Sequence, residues 1–130
     1  MGAIKNFEDF EVWKLARQLN VKIYSEFKES KEYHFRDQIF RCTLSVMNNI
    51  AEGFERNTPK EFIRFLKIAK GSCGEVKSML YLAGDIKLIE PQKALKIREE
   101  TDKLLNKIGS LISYLKKQQN NPTTHKPENT

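Results

Sequence analysis

Lys60, Arg64 and Lys67 stand at i, i+4 and i+7, a spacing that puts three cations on one face of a helix. Lys70 and Lys77 continue the positive charge along the same segment, and Arg36, Arg41 and Arg56 precede it. A row of cations suits one kind of chemistry above others: neutralising successive phosphates of a polyanion and releasing its counterions, with little preference for base sequence. These eight side chains are the candidate nucleic-acid ligands. The competing reading is a solvated face whose charges serve only solubility.

Reactive constellations do not accompany them. A di-iron bundle needs Glu-x-x-His pairs on facing helices, whereas the two histidines are His34, in a connection, and His125, in the polar tail. Cys42 and Cys73 are 31 residues apart with no CxxC, which excludes the common zinc spacings and a disulfide framework. Ser25-x-x-Lys28 and Ser113-x-x-Lys116 lack the partner motifs of a Ser/Lys enzyme. No phosphate-cradling glycine loop follows a strand pattern. Glu52, Glu61 and Glu75 could gather as a carboxylate group, but charged helix faces produce such groups routinely. The expectation is a protein that is not an enzyme and takes no cofactor or metal.

The elements that must position the basic row read as four helices. Phe10, Trp13, Ala16, Leu19, Ile23 and Phe27 recur every three or four residues, predicting a first helix from about Phe7 to Phe27 with Asn6 or Asp9 as its cap. Residues 30–34 are polar and form the first connection. A second helix is expected over about Phe35 to Phe54, with Ile39, Leu44, Val46, Met47, Ile50 and Ala51 apolar and Gly53 near its stop. Thr58-Pro59-Lys60-Glu61 is a capping box with proline in the first helical position, opening a third helix that runs to about Ile86. Pro91 opens a fourth, in which Leu95, Leu104, Leu105, Ile108, Leu111, Ile112 and Leu115 carry the apolar stripe to Lys117. Long helices with short connections predict an all-α, antiparallel up-down-up-down four-helix bundle over residues 1–117. Residues 118–130 lack periodicity and read as a disordered tail.

Two features of the third helix go beyond a simple bundle. Phe62, Ile63, Phe65, Leu66, Ile68 and Ala69 cover an arc of roughly 220°, which suggests a second buried contact with an identical subunit; a helix central to its own bundle is the alternative. Gly71 and Gly74 lie inside the helix at a cost of about 1 kcal/mol each against alanine, as if another backbone or a ligand came close to Lys70-Gly71-Ser72-Cys73-Gly74. A hairpin turning near Arg56 and Asn57 would place opposite one another residues whose numbers sum to about 113, setting Cys42 near Gly71 to Cys73 and Asn49 near Arg64.

The chain has 130 residues, 39% hydrophobic and 31% charged, with a net charge of +6: enough for one domain with a core. No stretch approaches the roughly 20 apolar residues of a membrane span, and Met1-Gly2-Ala3-Ile4-Lys5 lacks the pattern of a secretory signal, so a cytoplasmic location with no membrane partner is expected. The positive charge favours polyanionic partners but is weak evidence alone.

Phe7-Glu8-Asp9-Phe10-Glu11-Val12-Trp13-Lys14-Leu15-Ala16 resembles the opening helix of the bacterial four-helix proteins linked to 23S rRNA intervening sequences. Ser45-Val46-Met47-Asn48-Asn49-Ile50-Ala51-Glu52-Gly53-Phe54-Glu55-Arg56 carries that family's Asn-Ile-Ala-Glu-Gly signature, followed at family spacing by Glu61-Phe62, Phe65-Leu66, Ala69, Gly71-Ser72 and Glu75. The resemblance covers about Phe7 to Lys117. It implies a four-helix bundle assembled as a ring, typically a homopentamer, and a distant relation to the basic accessory protein of diversity-generating retroelements, which partners a reverse transcriptase and binds nucleic acid. His34 departs from the family, which tends to have glycine after a tyrosine there. The signature positions Ser45, Asn49, Ile50, Ala51, Glu52, Gly53, Gly71, Ser72 and Glu75 read as architecture or interface: Asn49 bonding across to the third helix, Glu52 pairing with a cation of its own chain or a neighbour, and Gly53 ending its helix.

Two functions follow as expectations. The first is a homo-oligomeric ring that binds RNA or DNA through its basic surface; five copies would carry about +30. Few base-stacking aromatics are expected at the surface, which argues against sequence-specific reading of single strands. The second is a scaffold that docks a protein partner and binds no nucleic acid.

Overall fold

The computed structural model describes residues 4–119. A short 3₁₀ turn, Phe7–Asp9, precedes four α-helices: α1 (Glu11–Phe27), α2 (Tyr33–Glu55), α3 (Pro59–Asp85) and α4 (Pro91–Gln119), and no strand occurs among the described residues. Residues 120–130 of the expected tail lie outside the described residues; Gln118 and Gln119, placed in that tail by composition, complete the last turn of α4.

Contacts between neighbours run antiparallel around the bundle. Phe10–Phe54, Tyr24–Phe40 and Phe27–Phe35 ring pairs join the start of the chain and α1 to α2 in descending order. Ser45 meets Ser72 and Cys42 meets Glu75 between α2 and α3. Lys77 meets Asp102 and Arg98 covers Tyr81 between α3 and α4. Glu11–Lys107, Lys22–Glu100 and Glu26–Lys93 ion pairs close α4 back on α1. The core between them holds Leu19, Ile23, Phe27, Ile39, Val46, Ile50, Leu66, Val76, Leu80, Leu104 and Ile108, each essentially sealed from solvent. Burial of side chains this size is worth about 1.5–3 kcal/mol apiece, and it is this stripe, recurring at helical spacing, that makes the four segments fold together.

Local chemistry corrects several boundaries. α1 begins at Glu11 rather than Phe7, because Phe10 is extended (φ −74°, ψ 134°) and its ring joins Phe54 and Phe62 in a mutually edge-on trio with centroids 5.3, 5.4 and 5.8 Å apart. That aromatic plug closes the bundle end, and its packing outweighs continuation of the helix. Neither Asn6 nor Asp9 caps α1: Phe10 occupies the N-cap position without a side-chain bond, and Asn6, at the start of the 3₁₀ turn, makes none either. α2 begins at Tyr33, so His34 lies in its first turn and the family's missing glycine interrupts nothing.

Gly53 does not end α2, which runs on to Glu55. A Cβ on Gly53 would stand 2.6 Å from Phe65 Cβ and 3.1 Å from Phe62 Cδ1, so the glycine is there to let α3 approach. The chain reverses instead at Asn57, with φ 68°, a left-handed conformation that asparagine tolerates. At the start of α3, Thr58 Oγ1 accepts from the Glu61 N–H. The reciprocal half of the capping box is absent, because the Glu61 carboxylate is held by Arg64 instead.

The numbers of opposed residues sum to 117 rather than 113, so the turn is centred about two residues later than expected and the hairpin register shifts by about one helical turn. Opposed pairs such as Ser45/Ser72 and Cys42/Glu75 replace those expected from a sum of 113. The two cysteines have separate surroundings: Cys42 Sγ contacts Glu75 Oε1 at 3.7 Å, and Cys73 Sγ contacts the Thr101 carbonyl on α4 at 3.6 Å.

Candidate nucleic-acid interface

The broad apolar arc of α3 is consumed inside the chain. Phe62, Ile63, Phe65, Leu66 and Ala69 are buried and only Ile68 is exposed, because α3 packs on α2 along one flank and on α4 along the other. The helix is therefore central to its own bundle, and the arc does not by itself call for a second subunit. Gly71 and Gly74 also depart from expectation: a Cβ at either would meet nothing within 4 Å, so no close packing inside the chain explains them.

The eight candidate cations divide by their partners. Arg36 bonds Asp37 at 3.1 Å and covers Tyr33. Arg56 pairs with Glu52 at 3.0 Å, and Arg64 with Glu61 at 3.0 Å. Both guanidiniums also stack on Phe65, at 4.9 and 4.5 Å from its ring centre. Arg56, Arg64, Glu52, Glu61 and Phe65 thus form one clasp across the α2–α3 turn. The hydrogen bond from Arg64 is the main reason the Glu61 carboxyl is held below the usual carboxylate range, and the same bond raises the Arg64 pKa. Lys77 bonds Asp102 at 2.6 Å, which raises its pKa above the ordinary lysine value.

Arg41, Lys60, Lys67 and Lys70 remain. All four are exposed, and none makes an ion pair among the described residues. The structure does not gather all eight into one site. Arg36 lies about 30 Å along α2 from Arg56, and Lys60 about 25 Å along α3 from Lys77. It does align Lys60 and Lys67 on the outward face of α3, with Lys70 on the edge towards α4.

The signature residues have structural partners. Ile50 is fully buried and Gly53 admits Phe65; Ala51 is half-buried; Glu52 holds Arg56. Asn49 does not bond across to α3, as its Nδ2 donates to the Ser45 carbonyl and Oγ one turn back. Ser45 makes the cross-helix bond instead, to Ser72 at 2.8 Å. Glu75 accepts from Cys42, whose thiol pKa is pushed up first by burial and then by that carboxylate.

Sequence reading missed the surface where α3 meets the last turns of α4. There Lys70 lies over Gly109, its Nζ 3.8 Å from where a Cβ would be, and an open groove of about 670 Å³ continues along Asn106, Ser110, Ser113, Tyr114 and Lys117. Its signal was present as a polar stripe: Lys103, Asn106, Ser110, Ser113 and Lys117 recur at helical spacing with no acid among them.

Among the described residues, no group of three or more His, Cys, Asp or Glu side chains could hold a metal ion, and no helix is long and apolar enough to cross a membrane. A crystal structure of a protein of unknown function from the S23 ribosomal protein family of Bacteroides thetaiotaomicron superposes with a TM-score of 0.72 at 25% identity, covering 78% of this chain and 97% of that one. No curated protein matches in sequence. The family model described as 23S rRNA-intervening sequence protein matches residues 8–110, a span that takes in the opening aromatics, the Asn49–Gly53 signature and the whole of α3. This chain belongs to the 23S rRNA-intervening sequence protein family.

Proposed function

We propose that the chain is a non-enzymatic subunit that binds RNA or other nucleic acid through the basic flank of α3, within a homo-oligomeric, pentameric ring. The observation that carries the reading is the run of uncompensated cations: Lys60, Lys67 and Lys70 have no acidic partner among the described residues, on a chain of net charge +6. Unpaired surface cations keep their full attraction for phosphate, whereas cations already held by carboxylates must exchange one partner for another. Assembly is supported by Gly71 and Gly74, whose open surface would let a second backbone approach, and by exposed Ile68 beside them. The family description, which refers to rRNA, is in keeping with an RNA partner.

A second reading, a protein-docking scaffold, draws on Val21, Tyr24 and Leu44, which leave apolar surface exposed on α1 and α2. Fluorescence anisotropy with structured RNA, single-stranded RNA and duplex DNA across a salt series separates the two. Binding whose log affinity falls steeply with log salt, and which Lys60→Glu with Lys67→Glu weakens at least tenfold, is the expected result. Absence of binding at low salt would overturn the nucleic-acid reading in favour of the scaffold. That pair is a cleaner test than Arg64→Glu, which would also break the clasp to Glu61. Light scattering tests the ring, and a monomer at micromolar concentration would remove it.

A further inference from the structure

The α3–α4 seam has two halves of different character. In one, Lys77 is answered by Asp102 and Tyr81 is covered by Arg98 at 4.0 Å, so the side chains satisfy one another. In the other, Lys70, two turns earlier on α3, lies over Gly109 with no carboxylate opposite, and the groove that starts there contains no acidic residue. Lys117 stands at its far end, likewise without an ion pair among the described residues. From the level of Gly109 to Lys117 the groove runs about 12 Å along α4. That is long enough for several phosphates of one strand, which repeat every ~3.4 Å of axis in a duplex and further apart when extended.

Tyr114 supplies the second, independent observation. Of the four tyrosines, Tyr24 stacks on Phe40 and carries Lys28, Tyr33 carries Arg36, and Tyr81 carries Arg98. Among the described residues Tyr114 alone has neither an aromatic nor a cationic ring partner, and it is 44% exposed between the two lysines. An open ring between phosphate-binding cations is the arrangement on which a base of a single strand stacks. Ser110, Ser113 and Asn106 line the same path with hydroxyl and amide donors. Duplex nucleic acid presents no free base face to such a ring.

We propose that this groove is a track for single-stranded nucleic acid, with Lys70 and Lys117 contacting phosphates and Tyr114 stacking a base. The proposal rests on the nucleic-acid reading above and narrows it to one surface and one class of strand. The test is anisotropy of labelled oligouridine and of a duplex RNA, with four proteins whose fold is checked by circular dichroism: wild type, Tyr114→Ala, Lys70→Glu with Lys117→Glu, and the charge-matched control Lys31→Glu with Lys96→Glu.

Tyr114→Ala is expected to weaken oligouridine binding roughly 5- to 100-fold while leaving duplex binding unchanged. The Lys70/Lys117 variant is expected to lose at least tenfold and to flatten the salt slope by about 1.4, the counterion release of two phosphates on a single strand. Equal binding by wild type and Tyr114→Ala, or an equal loss in the control, would overturn the groove and leave the broader reading standing. No binding by the wild type to either ligand would overturn both.

Discussion

Ser45 and Ser72 meet hydroxyl to hydroxyl at 2.8 Å across the seam between α2 and α3, and Asn49 Nδ2 donates to the same Ser45 oxygen at 2.9 Å. Three of the family-signature positions are thereby one hydrogen-bonded unit that fixes the register of the hairpin. Ser72 is buried, so losing its partner leaves a polar group with little access to water. Ser45→Ala and Ser72→Ala are each expected to cost about 0.5–1.5 kcal/mol. The double variant should cost less than the sum, because the second change removes a bond already lost. Urea unfolding of the four proteins completes the cycle, and strict additivity would show that the pair is not coupled.

The glycines of the same hairpin should respond in opposite senses. Gly53→Ala would drive a methyl against Phe65 Cβ, which cannot swing away, and is expected to destabilise by about 1–3 kcal/mol through overpacking. Gly71→Ala and Gly74→Ala meet open space and should each stabilise an isolated subunit by about 0.5–1 kcal/mol. Thermal unfolding read alongside light scattering distinguishes the cases: loss of association in the latter two would place a neighbouring backbone on that stripe.

Lys87 sits at φ 62° just after α3, where its N–H bonds the Gly84 carbonyl and the Leu88 N–H bonds the Ala83 carbonyl. This paired closure of a helix end is most often built on glycine, and a side chain with a Cβ is strained in it. Lys87→Gly should therefore raise stability by about 0.5 kcal/mol after the added freedom of the unfolded chain is counted. A fall in the urea midpoint would contradict that account.

Acid should loosen the clasp at the α2–α3 turn. The folded Glu61 carboxyl has its pKa below the ordinary value, chiefly through its hydrogen bond from Arg64. Its contribution is therefore complete above the unfolded carboxylate pKa and is lost as pH falls through the lower, folded one. Glu61→Gln should therefore lower stability slightly at neutral pH and flatten part of the acid-side decline, so that the two proteins converge as the carboxylate is protonated. Unfolding midpoints measured from pH 7 down to pH 3 provide the comparison, and parallel curves for the two proteins would count against the clasp.

Both thiols should be inert in the folded protein. Burial, and then the nearby Asp102, push Cys73 to about 12, while burial and then Glu75 raise Cys42, so little reactive thiolate exists at pH 8. Iodoacetamide labelling followed by mass spectrometry should show slow modification of both, slowest at Cys73, and rapid labelling after denaturation. Fast labelling of native Cys73 would contradict its placement against α4.

How much of this was legible beforehand depends on distance along the chain. The four helices, the Thr58 cap and most core positions announce themselves locally, because hydrophobic period and capping chemistry act within a turn or two. The start of α1 was not legible, since what stops it at Phe10 is an aromatic contact with Phe54 and Phe62, more than 40 residues away. Gly53 was misread for the same reason: a helix-ending glycine and a glycine that admits a neighbouring helix look alike until the neighbour is in place. Among the cations, composition showed which residues carry charge but not which charges are already spent on Glu52, Glu61 and Asp102.

By itself, then, the sequence determined an all-α chain of four amphipathic segments, the order of those segments, their basic excess and, through Asn49–Gly53 and its companions, the family. Only the tertiary structure decided the one-turn hairpin register, the burial of nearly the whole apolar arc of α3, and the contrast between the ion-paired Arg36, Arg56 and Arg64 and the lysines Lys60, Lys67, Lys70 and Lys117, which make no ion pair among the described residues. The physical reason is that helical periodicity is a property of neighbours in sequence, whereas register, ion pairing and an open groove beside Tyr114 are set by packing between helices whose contacting residues lie tens of positions apart.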